Sequence, residues 1–585
     1  MNLTDAQRDA VRCDGNTFVV ACPGSGKTRA LVAKLLRCLD EVRDSARRVA
    51  CITYTNAAVY EIESRLRSYG KIGDENYCDI STIHAFCLNN ILRHFHWRLP
   101  DYTDEFTVLP PDSERYREIV DSVRSDYGLN ASARDRFEQL NREPDGTPIT
   151  TYPLTTDIAL DFWERLGREQ FIDFPNIIYL SYCLMVEQPS IAHAIACRFA
   201  WMLVDEFQDT LALQVEMLKL IADRGITKFF LVGDPHQSIY GFAGACPDLM
   251  DEFADHITAQ RNFELLGNFR SSDPIVKHAE RLCPRDPPMF PCGEAVVFTE
   301  EPQYVHAATA FEAITEHYIP VLNDLGIDYG KTAILAPWWV NLLHLGRQLR
   351  EYGIPVFGPG ARPYKRSHLF ARLAEQICAY ITQPDPKLIP RVERELFRLI
   401  TEVTGSTNYN VYTYAGRTTV FRLIRAGKIL CKEHEEGLVW LNAAAREFAT
   451  ILCEDELLPQ SCCHLLIESV RDIAQDIIDR RVDIANLTTA DLGMFASYER
   501  SVKLLTMHRA KGREFDAVAI VDLNDGQVPH YNRYSPITEE KTEEGRRLLY
   551  VAMTRARRVL MYITDDGNWR NPSRFLGEGE LGLIQ

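Results

Sequence analysis

Ala21-Cys22-Pro23-Gly24-Ser25-Gly26-Lys27-Thr28 lies between the apolar run Phe18-Val19-Val20 and Arg29-Ala30-Leu31-Val32-Ala33-Lys34-Leu35-Leu36, whose spacing predicts a helix. Strand, glycine-rich loop and helix is the order in which backbone N–H groups close around phosphate oxygens and the positive end of a helix points at them. Gly24 and Gly26 flank Ser25 and put no Cβ in the way. Lys27 then reaches for β and γ phosphates, and the Thr28 hydroxyl for Mg²⁺. Ala21 stands where such a loop usually has its first glycine, so these residues alone leave open a glycine-rich turn without a ligand.

The 585 residues are too many for one hydrophobic core and predict roughly three to five compact units. A hydrophobic share of 46% with 25% charged residues is globular composition and argues against disorder. The net charge of −17 speaks against indiscriminate polyanion binding, although a narrow basic groove on an acidic body still suits nucleic acid. The 16 cysteines show no CxxC and no His/Cys cluster at zinc spacing, so reduced thiols are expected rather than disulfides or a metal. With no signal-like leader and no apolar run of spanning length, a soluble, cytoplasmic protein without membrane contact is expected.

In chain order, Gln7 offers an amide that both donates and accepts, suited to an adenine edge; an exposed helix residue is the other reading. Arg48 to Thr55 reads as a second strand and Asn56 to Leu66 as a helix. Ser81 to Cys87 mixes hydroxyls, an imidazole and an aromatic, which fits nucleic-acid contacts but equally turns and caps. A polar, helical stretch follows, and strand signals resume only at Phe199-Ala200-Trp201-Met202-Leu203-Val204. That strand ends in Asp205-Glu206-Phe207-Gln208-Asp209. Two carboxylates at the tip of a buried strand suggest Asp205 for a metal and Glu206 for an attacking water, with helix-start carboxylates as the alternative. Lys228 to Val232 is the next strand, and Gln237 follows it where a γ-phosphate could be sensed. Strands alternating with helices predict an α/β protein with parallel sheets and ligands at the carboxyl ends of strands.

Taken together, these motifs resemble the UvrD/Rep/PcrA family of superfamily 1A DNA helicases. The matches continue through Gly267-Asn268-Phe269-Arg270-Ser271, Val502 to Phe515 and Tyr550 to Arg557. The resemblance implies two RecA-like P-loop domains with parallel sheets, each carrying a mainly helical insertion. The expected bounds are 1–93 and 191–265 for the first motor domain with insertion 94–190, and 266–381 and 496–585 for the second with a reduced insertion 382–495. It further implies that Gln7, Arg29 and Phe269 hold the adenine and Glu514 lies near the ribose. Gly24, Ser25, Gly26, Lys27, Thr28, Asp205, Glu206 and Gln237 would form the phosphate, Mg²⁺ and water side of an ATP site. Arg270 and Arg555 would reach the γ-phosphate from the second motor domain. Tyr54, Thr82, His84, Phe242 and His508 match positions that face single-stranded DNA, and 3′→5′ movement is implied.

Ala57 replaces the family's usual lysine, and Phe242-Ala243 its Trp-Arg pair, which removes a charged donor beside the DNA channel. The family's longer C-terminal tail and an appended nuclease are expected to be absent. This trimming also resembles the helicase-like subunit of Gabija-type anti-phage systems, which works beside an OLD-type nuclease. Two readings follow: an ATP-dependent 3′→5′ helicase or translocase in DNA repair or phage defence, and a DNA-sensing ATPase subunit that regulates a partner nuclease.

Overall fold

The computed structural model describes residues 2–71, 73–111, 113–130, 133–241, 244, 247–405, 413–479, 487–532, 535–566, 571–577 and 579–584. The chain divides into two compact units, Met1–Val297 and Phe298–Gln585. Each is built on a six-stranded, wholly parallel sheet, the α/β class expected.

In the first unit the strands are β1 (Thr17–Ala21), β2 (Arg48–Thr53), β3 (Cys78–Thr82), β4 (Phe199–Val204), β5 (Lys228–Gly233) and β6 (Gln260–Leu265), in the order β6-β1-β5-β4-β2-β3. β4 and β5 are apolar along nearly their whole length because helices cover both faces of the sheet. Val20 pairs with Gly233 and Ile52 with Val204, so β1, β5, β4 and β2 end at one edge. That register gathers the loops after four separate strands in one place. Between β3 and β4 lie helices such as Glu114–Asp126 and Thr156–Arg168, packed through Tyr116, Val120, Phe137 and Phe162.

The second unit repeats the plan with β7 (Gln303–Ala307), β8 (Thr332–Ala336), β9 (Val356–Phe357), β10 (Val502–Thr506), β11 (Phe515–Ile520) and β12 (Ala556–Asp565), in the order β7-β12-β11-β8-β10-β9. Between β9 and β10, among the described residues, α-helices from Ala371–Thr382 to Thr489–Ala496 enclose a core around Leu396, Leu423, Trp440 and Phe448. Cys453 and Cys463 face each other there, their Cα atoms 7.6 Å apart, because the short turn between helices Gly437–Glu454 and His464–Asp479 folds one beside the other. β8 ends at Ala336; Trp338 stands at the N-terminal cap of the helix Trp339–Glu351 and Trp339 opens it, and both are exposed, at 43% and 56%.

Residues 266–297, assigned from the sequence to the second motor domain, belong with the first unit. The reason is local: Cys22 N–H donates to Leu265 O and Phe269 N–H to Gly24 O, both at 2.9 Å, which ties this segment to the loop after β1. No described helix is long and apolar enough to cross a membrane.

Candidate active site

The loop after β1 turns through Gly24 at φ +69° and Gly26 at φ +78°. Helix α1 (Asp5–Arg12) packs beside it, and α2 (Lys27–Val42) begins at Gly26 without a side-chain cap, so its first N–H groups face the loop. A Cβ on Gly24 would stand 2.7 Å from both Arg270 Cβ and Asn268 Oδ1, and one on Gly26 would stand 2.8 Å from Gln7 Nε2. Glycine is therefore required by conformation and by close approach together.

Gln7 is not an exposed helix residue. It is 1% exposed, its Oε1 accepts from Thr4 N–H at 3.0 Å, and its Nε2 donates to Ser25 O at 2.8 Å. Arg29 is exposed beside it, with Nη1 donating to Asn2 O at 3.5 Å. Phe269 and Arg270 lie against Gly24, so the adenine and γ-phosphate candidates Gln7, Phe269 and Arg270 all border the phosphate loop within the first unit. The expectation that Arg270 arrives from the other motor domain is thereby corrected.

Asp205 and Glu206 follow β4 beside that loop. Lys27 Nζ is 3.1 Å from Glu206 Oε2. Burial disfavours the Lys27 ammonium, but Glu206, Asp234 and Asp205 outweigh it and hold its pKa above the ordinary lysine value. Burial, reinforced by the Glu206 charge, pushes Asp205 up to about 7. Asp205 Oδ1 and Ser25 Oγ are buried without a hydrogen-bond partner. A buried carboxylate with an unsatisfied oxygen, next to Glu206 whose partner Lys27 opens an uncapped helix, fits a divalent cation bound with phosphates.

Two groups here escaped the sequence reading. Gln208 bridges neighbouring strand ends: its Nε2 donates to Glu206 Oε2 at 2.5 Å and its Oε1 accepts from Asp234 N–H at 2.9 Å. Arg285 forms a buried ion pair with Asp234, whose Oδ2 also accepts from Gln237 Nε2 at 2.6 Å. Gln208 lies inside a quoted motif and could have been weighed; no local pattern marks Arg285.

Among the DNA candidates, Tyr54 is 42% exposed and stacks on Tyr240 with ring centroids 5.3 Å apart. Thr82 spends its hydroxyl on capping, accepting from Ala85 N–H at 3.3 Å. His84 meets the edge of Phe174, an exposed ring of the helical insertion, at 5.8 Å. Burial lowers both His84 and His508 to about 4. Phe242, and the Ala243 beside it, lie outside the described residues.

In the second unit, Arg555 is 1% exposed; its Nε donates to Val551 O at 2.8 Å and its Nη2 to Thr554 Oγ1 at 3.1 Å. Glu514, expected at the ribose, is exposed just before β11, and His508 lies on the short helix Met507–Ala510 that follows β10.

Residues 3–258 match the family model of the UvrD/REP helicase N-terminal domain, and residues 454–566 that of the UvrD-like helicase C-terminal domain. Among curated proteins, an ATP-dependent DNA helicase PcrA of Staphylococcus epidermidis is 24% identical, over 99% of this chain and 86% of its own length. An ATP-dependent DNA helicase PcrA of Staphylococcus aureus is 25% identical, over 100% of this chain and 87% of its own.

Proposed function

The chain belongs to the UvrD/Rep helicase family, and from that membership we propose that it is an ATP-hydrolysing DNA helicase that moves 3′→5′ along single-stranded DNA in the cytoplasm. The observation that carries the reading is the convergence of Lys27, Asp205, Glu206 and Gln237 at the ends of β1, β4 and β5.

Gly24, Ser25, Gly26 and Lys27 would cradle the phosphates, with Gln7, Arg29 and Phe269 at the base and Glu514 near the ribose. Thr28 and Asp205 would hold Mg²⁺, which when bound neutralises phosphate charge. Lys27 leaves Glu206 for the phosphates, and the freed carboxylate orients the attacking water and takes its proton. Gln237 senses the γ-phosphate, and the guanidinium groups of Arg270 and Arg555 offset the charge that develops on it. Tyr54 offers a base-stacking face, which is tolerant of sequence and so suits a motor. Thr82, His84, Phe242 and His508 would line the same strand.

Steady-state ATP hydrolysis with and without single-stranded DNA, with Glu206→Gln as control, tests this. Stimulation by DNA that disappears in the variant is the expected result. Turnover that ignores DNA would sink the motor reading and favour the alternative, an anti-phage subunit regulating an OLD-type nuclease.

A further inference from the structure

Building on the ATPase reading above, we propose that Arg285 is a positioning residue for ATP hydrolysis: it fixes Asp234, and Asp234 fixes the Gln237 side chain at the phosphate site. Arg285 Nη2 is 2.7 Å from Asp234 Oδ1 and 2.9 Å from Oδ2, and the two side chains are 6% and 0% exposed. One guanidinium nitrogen reaching both oxygens of a buried carboxylate neutralises its charge and restrains its orientation. The same carboxylate accepts from His236 N–H at 3.1 Å and from Gln237 Nε2 at 2.6 Å. The Asp234 N–H continues through Gln208 to Glu206, and Glu206 pairs with Lys27. One polar chain thus runs from Arg285 to the phosphate lysine. Although burial works against its charge, Arg285, Lys27 and Gln237 together hold Asp234 below the usual carboxylate range.

The loop that presents Arg285 is built for the purpose. Glu280 accepts from Arg285 N–H at 3.0 Å and from Met289 N–H at 2.9 Å, closing the loop from both ends. The loop follows helix Asp273–Leu282, which starts just after Arg270, and it ends where Phe290–Pro291 pair with Gly267–Asn268. Phe269, Arg270 and Arg285 therefore travel on one closed segment. If that segment lifts from the phosphate loop, Asp234 loses its guanidinium and the Gln237 amide loses its fixed acceptor. Hydrolysis competence then depends on the docking of this segment.

The test uses the full chain with Arg285→Lys, which keeps the charge but not the planar guanidinium, Arg285→Ala, and Gln237→Ala alone and combined with each. The alanine change at 285 is expected to lower kcat roughly 10- to 100-fold with a smaller shift in KM for ATP, the cost of a misplaced group. Neither Arg285 change should lower kcat further once residue 237 is alanine, because both act through one side chain. Crystal structures of the wild type and Arg285→Lys should show the Gln237 amide displaced in the variant. Losses that multiply with Gln237→Ala, or an amide still on Asp234 in the lysine variant, overturn the proposal. If Arg285→Ala does not fold, the lysine variant decides. A wild-type chain without ATP turnover ends the ATPase reading instead, while the rotamer comparison still decides what Arg285 holds.

Discussion

Glu206 adopts φ +50° although it is not glycine, and its carboxylate pairs with Lys27 at 3.1 Å. A left-handed backbone at such a residue costs about 1–3 kcal/mol, which the surroundings must offset. In that conformation the carboxylate faces Lys27 of the phosphate loop. Glu206→Gln keeps the shape and removes the proton acceptor, so kcat should fall by roughly 10²–10⁴ with KM for ATP little changed, read by steady-state hydrolysis. His84 and His508 give a different kind of prediction. Burial lowers both to about 4, so each is neutral at working pH and contributes no charge to DNA binding. His84→Asn should weaken single-strand affinity while leaving the slope of log Kobs against log salt unchanged. A charged contact would instead lower that slope by about 0.7 for each phosphate neutralised.

The phosphate loop works as a unit with the segment docked on it. Gly24→Ala would force a Cβ against Arg270 Cβ and Asn268 Oδ1 in a backbone that L residues avoid. It should cost about 1–3 kcal/mol in urea unfolding and abolish nucleotide binding measured by fluorescence titration. Beside β2, Tyr54→Ala should cost about 1–3 kcal/mol of single-strand binding and Tyr54→Phe far less, because the ring face is what a base uses. Elements of this kind were legible in advance: the glycine loop, Asp205-Glu206 and Gln237 each close a buried strand, and a strand end is a local pattern. Arg285 was not legible, since its partner Asp234 lies far along the chain and nothing in its neighbours records the pairing. The end of β8 at Ala336 is equally hard to read, because the apolar run continues through Trp338 and Trp339 into a helix. The placement of residues 266–297 with the first unit depends on backbone hydrogen bonds to Cys22 and Gly24, which side-chain patterns do not announce.

At the scale of the molecule, burial holds His84, His278 and His508 near a pKa of about 4. Each folded value lies below the unfolded one of about 6.5, so between these limits the unfolded chain binds more protons. The stability these residues contribute is present above pH 6.5 and is lost as pH falls toward 4. Urea midpoints should therefore drop from pH 7 to pH 5, and His278→Gln should flatten the drop. The strand order of the first sheet bears on biosynthesis as well. Among the described residues β1 is hydrogen-bonded only to β5 and β6, which begin at Lys228 and Gln260, so its apolar Phe18, Val19 and Val20 have no sheet to join when they leave the ribosome. At about 5–20 residues per second the wait is roughly ten seconds to a minute. During that interval the nascent N-terminus is an unpaired, sticky strand, and a chaperone that shields it co-translationally should raise the yield of folded protein more than one supplied after release.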